Sequence, residues 1–395
     1  MVIFRKFYIF KPYPAYGNRA EDLLYAAIKA KRENLILCLI YNPIKGLKLR
    51  KSNNALCKNV KSKEIKIVVI PELALYIIHI PNAILRIVGF IVNKYLNRKL
   101  GRYLIGLSDN TIGRECLFGN YKMHKEYLDR SIDWPLEFER NFDKSILSYA
   151  SREWLEQKIP ILTGRNYVCL HVRTAEFHGD GNYGARRNFN FENLRKSIDY
   201  LNSVGYLVVR IGAQEKEWIN VEGCINLDGA AKDGELLDIG VIEHCSSYIG
   251  GYSGPMDVAL LFGKKILGIN LISLSHCCWY SKNSRFIAKK VFKNGAILSL
   301  EDQIKKNIFE ITGTGWLDED ALFIENTEDE ILNGVQCLIN ERDLSDKQIQ
   351  LNQLLKHELI KYMQSMQLWP NQKDDTIQKM RWRTKVEGVK GGAVM

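Results

Sequence analysis

Residues 167–180 read Y-V-C-L-H-V-R-T-A-E-F-H-G-D, an apolar run that empties without a spacer into charged and imidazole side chains. The run from Tyr167 to Val172 is a strand by composition. Downstream, Phe191, Leu194, Ile198 and Leu201 recur at helical spacing, Gly205 punctuates, and Tyr206 to Ile211 is again a strand. A helix near Glu235–His244, a short strand ending at Gly250, a helix from Pro255 to Phe262 and a strand from Lys265 to Asn270 continue the pattern. Strand and helix alternating at this spacing imply an α/β fold whose parallel sheet is covered on both faces. Ligands of such sheets bind at the carboxyl ends of the strands, which is where His171 and Arg173 fall.

Upstream, Val2–Phe10 predicts a strand, KPYPAYGNR a loop, Ala20–Glu33 a helix and Leu35–Tyr41 a second strand, a β-loop-α-β opening. The basic, polar stretch GLKLRKSNNALCKNVKSKE at 46–64 predicts a surface loop. With 395 residues, two domains are expected. A first domain at 1–160 carries an apolar insertion at 65–92, and a second spans 161–344. A helix at 345–370 reaches back toward the first domain, and a basic tail occupies 371–395.

Two clusters carry the chemistry. After strand 167–172 come His171, Arg173, Glu176, His178 and Asp180, then Arg186 and Arg187. Arg173 offers a planar fork of donors that suits a phosphate, which Lys cannot copy. The second cluster is Y-I-G-G-Y-S-G-P-M-D at 248–257, a Gly-rich turn opening a helix with Pro255 near its first position. There Gly250, Gly251 and Gly254 allow close backbone approach, while Ser253 and the free helix-start amides suit a phosphate oxygen. Further on, N-T-E-D-E at 326–330 has the form of a helix start, with Thr327 as cap and Glu330 three residues later. No D-x-D element sits at a strand end, and D-E-D at 318–320 has the look of solvated charge.

Taken in order, H-V-R-x-x-E-F-H-x-D, R-R-N-x-N-x-E-N, G-Y-L-V-V-R-I-G, the Y-S-G turn and F-I-E-N-T-E-D-E-I at 323–331 resemble a family of bacterial glycosyltransferases from surface-polysaccharide loci. The Y-G-N-R-A-E-D segment near residue 17 is similar to that family's start, and the likeness covers roughly Ile9 to Ile339. The His-x-Arg element also resembles the fucosyltransferase-like group, which has the GT-B fold of two Rossmann-like domains facing across a cleft. That group's motif ends in Asp where this chain has Glu176. The resemblance implies a nucleotide-sugar donor and a glycan or lipid-linked glycan acceptor. It places Arg173 at the donor's phosphates and the Glu325-Asn326 turn near the donor's cleft, and the chemistry of the two clusters adds His171, Arg187, Gly251, Ser253 and Gly254 on the donor side, with Glu176 or Asp180, or else His178, as the base that takes the acceptor's proton. No cofactor or metal is expected. Rival readings are a polysaccharide pyruvyl transferase and a non-catalytic nucleotide-sugar-binding scaffold.

The totals agree with anionic partners: formal charge is +11 and pI near 9.0. Recognition-module aromatics and zinc-finger spacing are missing, which argues against nucleic acid. Nine cysteines with no C-x-x-C pair predict reduced thiols and a cytoplasmic location, and Cys277-Cys278 is read as a pair of small apolar side chains. The N-terminus has charges inside its apolar run and no cleavage site, so a strand is expected there and not a signal peptide. Ile65–Val92 is the most apolar stretch, yet Lys66, Pro71, Glu72, His79, Pro81 and Arg86 interrupt it before it is long enough to span a bilayer. With Lys94, Arg98, Lys99 and Arg102 behind it, this segment is either buried core or a dock on an anionic membrane surface at the inner face of the cell membrane.

Overall fold

The computed structural model describes residues 7–10, 16–41, 55–71, 84, 87–100, 102, 140–141, 145–173, 187–212, 222–227, 234–272, 284–299 and 322–341. Two parallel sheets organise them. The first has the order β1 (Phe7–Phe10), β2 (Ile36–Tyr41), β3 (Lys66–Pro71). Between β1 and β2 runs α1 (Tyr16–Arg32), which starts one turn earlier than the sequence predicts. Its last turn carries Lys29, Lys31 and Arg32, cations that suit the negative end of a helix dipole. Asn34, in the left-handed region at φ 52°, then turns the chain into β2.

One stretch departs from expectation. Inside 46–64, predicted as a surface loop, the helix α2 (Ala55–Lys58) buries Ala55, Leu56 and Cys57. The polar flanks conceal a compact apolar triplet that packs on β2, and Tyr149 Oη donates to the Leu56 carbonyl at 2.8 Å. A third described helix of the N-terminal half, α3, occupies 87–95.

The second sheet is six parallel strands in the order β6 (Cys224–Asn226), β5 (Leu207–Ile211), β4 (Tyr167–His171), β7 (Ser247–Gly250), β8 (Lys265–Leu271), β9 (Arg285–Ala288). Alternate side chains of β4 enter opposite cores. Val168, Leu170 and Val172 face α5 (Arg195–Ser203) and α8 (Glu328–Ile339), whose Ile198, Leu201, Ile331, Val335 and Leu338 close that side. Tyr167 and Cys169 face α6 (Gly234–His244) and α7 (Gly254–Leu261). Both faces are covered, so β4 shows no polar alternation. Beyond β9 the chain forms a small antiparallel sheet of β10 (Lys290–Lys293), β11 (Ala296–Leu298) and β12 (Leu322–Ile324). The α8 start is a capping box: Thr327 Oγ1 accepts from Glu330 N and Glu330 accepts from Thr327 N, as the sequence predicts.

The two sheets share one core. α1 lies against α7, with Ala20, Leu23, Ala26, Ala27 and Ala30 contributing to the same cluster as Met256, Val258, Ala259 and Phe262. The small alanines let the helices approach closely. The closest point is Gly17, where a Cβ would fall on the Asp257 carboxylate and 2.8 Å from Gly254 Cα. The joining segment serves both sheets. Lys61 and Ser148 exchange backbone hydrogen bonds on the first side, while α4 (Arg152–Lys158) packs on α6 of the second. Glu243 on α6 accepts from the amides of Tyr149 and Ala150 at 2.9–3.1 Å.

α6 also carries Asp238, whose Oδ1 is sealed from solvent and has no hydrogen-bond partner among the described residues. Burial, helped by the nearby Glu235 charge, pushes its carboxyl up to about 7 from an ordinary 3.8. A folded-state value above the unfolded one means that the folded chain holds the proton longer. Its stabilising share is complete below about pH 4 and is lost as pH rises to about 7. Asp238→Asn is expected to raise the unfolding midpoint at pH 8 and to flatten its fall between pH 4 and 7. An unchanged pH profile of the unfolding midpoint would count against this.

Candidate active site at the switch between β4 and β7

In the second sheet, successive strands step one way from β4 through β5 to β6, then return to β4's other side with β7. The chain reverses direction between β4 and β7, and their carboxyl ends are where doubly wound sheets hold ligands. His171 ends β4 in register with Gly250 of β7. Its Nδ1 lies 3.0 Å from Ser253 Oγ, a bond that spans the switch point. Space for the ring comes from Gly212 at the end of β5: a Cβ there would stand 2.9 Å from His171 Cδ2, and its φ of 97° is one that a side chain disfavours.

Ser253 is the N-cap residue of α7, but its hydroxyl does not cap the helix. It meets His171 and the Gly251 carbonyl at 3.2 Å instead. The positive end of α7 is directed at the same place. Over this turn folds the segment 187–189. Arg187 lies 5.9 Å from the Tyr252 ring centre, and Gly251 lacks a Cβ where one would stand 3.0 Å from Phe189.

Arg173 follows two residues beyond His171 and is buried, with Nη1 donating to Asn188 Oδ1 at 2.7 Å. Asn188 is held from the other side by Lys289, whose Nζ donates to the Asn188 carbonyl at 2.8 Å. Lys289 in turn pairs with Glu325 at 3.7 Å, and Glu325 accepts from Asn190 N at 3.0 Å and Asn193 Nδ2 at 3.3 Å. Burial pulls the Lys289 ammonium below its ordinary value, and Glu325 offsets part of that. Arg173 and Glu325 are thus joined through a bridge of Asn188 and Lys289 that fixes the guanidinium.

Of the predicted residues, His171, Arg173, Arg187, Gly251, Ser253 and Gly254 meet at the switch point. Glu325 sits behind them as an anchor for 188–193. Asn326 is almost fully enclosed: it exchanges two 2.7 Å bonds with Asn270 and donates to the Ala288 carbonyl at 2.9 Å. All three of these bonds brace β8 and β9. Glu176, His178 and Asp180 lie outside the described residues, as do Cys277-Cys278, the 318–320 run and the helix predicted at 345–370. Neither Asn188 nor Lys289 is singled out by sequence pattern. Asn188 is hidden inside the R-R-N motif, and Lys289 is one lysine between two short strands. Among the described residues, no group of three or more His, Cys, Asp or Glu could hold a metal ion, and no helix is long and apolar enough to cross a membrane. The described cysteines are free, and burial raises the Cys169 thiol well above its ordinary value and the Cys245 thiol to about 11.

No protein-family model matches the sequence, and no curated protein matches it. Solved structures with a similar course include a glycosyl transferase family 9 protein from Veillonella parvula, 14% identical over 86% of this chain and 99% of that one, with a TM-score of 0.46. The E. coli ADP-heptose lipopolysaccharide heptosyltransferase II is 13% identical over 85% of this chain and 99% of its own, TM-score 0.43. The E. coli heptosyltransferase WaaC with ADP is 10% identical over 76% and 97%, TM-score 0.34.

Proposed function

We propose that the protein is a glycosyltransferase of GT-B type that moves a sugar from a nucleotide-sugar donor, bound at the β4–β7 switch point, to a glycan or lipid-linked glycan acceptor in surface-polysaccharide synthesis. The observation that carries this is the meeting of a pre-set guanidinium, the His171–Ser253 pair and the positive end of α7 at one strand edge. Those groups suit a diphosphate. The reaction is a displacement: the acceptor oxygen bonds to the sugar's anomeric carbon as the bond from that carbon to the phosphate oxygen breaks, and the nucleoside diphosphate leaves. Arg173, Arg187 and the α7 amides take up the charge that grows on the leaving oxygens. The hydroxyl of Ser253, accepting from the Nδ1–H of His171, turns its one proton from the Gly251 carbonyl to one of those oxygens. Glu176 or Asp180, or His178 in their place, accepts the acceptor's proton. The cytoplasmic face of the membrane is where a nucleotide sugar and a lipid-linked acceptor meet.

A thermal-shift screen of the full chain with ADP, GDP, UDP, CMP and dTDP tests the donor site. A nucleotide that binds only the folded chain at 100 times its Kd stabilises it by about 2.7 kcal/mol. A clear rise with one nucleotide, absent in Arg173→Ala, supports the reading. A rise with phosphoenolpyruvate and none with any nucleotide overturns it in favour of pyruvyl transfer, and nucleotide binding with neither sugar transfer nor donor hydrolysis overturns it in favour of a scaffold. Because arginines and helix amides are assigned to the leaving group, turnover is also expected to persist in excess EDTA. A loss that Mg²⁺ or Mn²⁺ restores would contradict that assignment.

A further inference from the structure

α3 at 87–95 is amphipathic the wrong way round for a core helix. Ile84, Ile87, Val88, Ile91 and Tyr95, at the spacing of one helical face, are 42–68% exposed, and Phe90 beside them is 55% exposed. Turned inward are Gly89, buried, with Val92 and Asn93 half-buried. The fold thus spends its small and polar positions on the interior and leaves its large apolar side chains outside. Leu96 and Leu100 continue the exposed set into the next helical turn, at 98–100, which Asn97 caps by accepting from the amides of Lys99 and Leu100 at 3.0 and 3.1 Å.

Charge accompanies this face. Lys94, Arg98, Lys99 and Arg102 are all exposed, and residues 84–102 contain no Asp or Glu. Lys94 rests 4.9 Å from the ring centre of Tyr95, an aromatic with an apolar body and a polar tip. Among the described residues no helix is long and apolar enough to cross a bilayer.

We infer that the outward face of 84–102 docks the protein on an anionic lipid bilayer, the helix lying along the interface with its apolar side chains among the acyl chains and its cations at the headgroups. Uninterrupted positive charge along an apolar strip favours anionic lipid over a second copy of this chain, whose matching face would bring cation against cation. The inference does not depend on the chemistry at the Ser253 turn.

Co-sedimentation of the full chain with vesicles decides it. The parent is expected to pellet with phosphatidylglycerol–phosphatidylcholine vesicles and at least about ten-fold less with phosphatidylcholine alone. The combined variant Ile87→Ser, Phe90→Ser, Ile91→Ser and the variant with Lys94, Arg98, Lys99 and Arg102 changed to Gln are each expected to lose binding on the order of ten-fold or more. All seven positions are exposed, so both variants should keep the parent's circular dichroism and unfolding midpoint. A parent that stays in the supernatant, or a serine variant that pellets like the parent, overturns the inference. So does a concentration-dependent dimer that the serine changes abolish while no vesicle is bound, since a second copy then covers the face. None of these outcomes alters the nucleotide response of the donor site, which has its own readout.

Discussion

Arg173→Lys is expected to lower the rate of sugar transfer by on the order of 100-fold or more while the chain stays folded. Arg173 is 4% exposed and one arm of its guanidinium is already engaged by Asn188, which Lys289, itself paired with the Glu325 carboxylate, holds in place. A planar fork can serve Asn188 with one nitrogen and direct others at a phosphate, with little freedom left to lose. A lysine has one nitrogen on a flexible stem, so meeting one partner means leaving the other. Charge is conserved in this variant, so the loss would report geometry. Initial rates with the donor chosen by the nucleotide screen give the effect, and circular dichroism confirms the fold. Near-normal turnover by the lysine variant would remove Arg173 from the site.

Gly17→Ala is expected to damage both stability and activity, although residue 17 lies about 150 positions from the β4 cluster. The added methyl meets the Asp257 carboxylate, which could turn aside, but also the backbone of Gly254, which can move only by shifting the start of α7. Overpacking of this kind costs typically about 1–3 kcal/mol. The same shift would displace Ser253 from His171. Calorimetry should show a midpoint lower by several degrees, and any activity that remains should have a raised KM for the donor. Parent-like values of both would mean that the α1–α7 contact is slack.

The sequence made the second sheet legible because its strands are continuous apolar runs between helices of clear period, and each observed strand from β4 to β8 matches a predicted one except the three-residue β6. The position of His171 and Arg173 at its edge was legible for the same reason, since a strand that stops in them has nowhere else to put them. Other features depend on contacts between distant positions, which periodicity does not record. Asn188, Lys289 and Glu325 form a bridge across more than a hundred residues. Gly17 has meaning only through α7. The buried α2 was obscured by its charged neighbours in sequence, and α3 shows the reverse case, in which an apolar pattern suits core and surface equally until exposure is known.

Sharing one core between the two sheets also sets the size of the cooperative unit. With α1 laid along α7, the N-terminal sheet cannot melt without stripping the apolar cover from the helix that begins at Ser253. Cutting the chain near residue 160 would leave that cover missing from the half that holds the second sheet. The β4–β7 edge is therefore not a detachable module: its inheritance, and any attempt to graft it onto another domain, must carry α1 along with it.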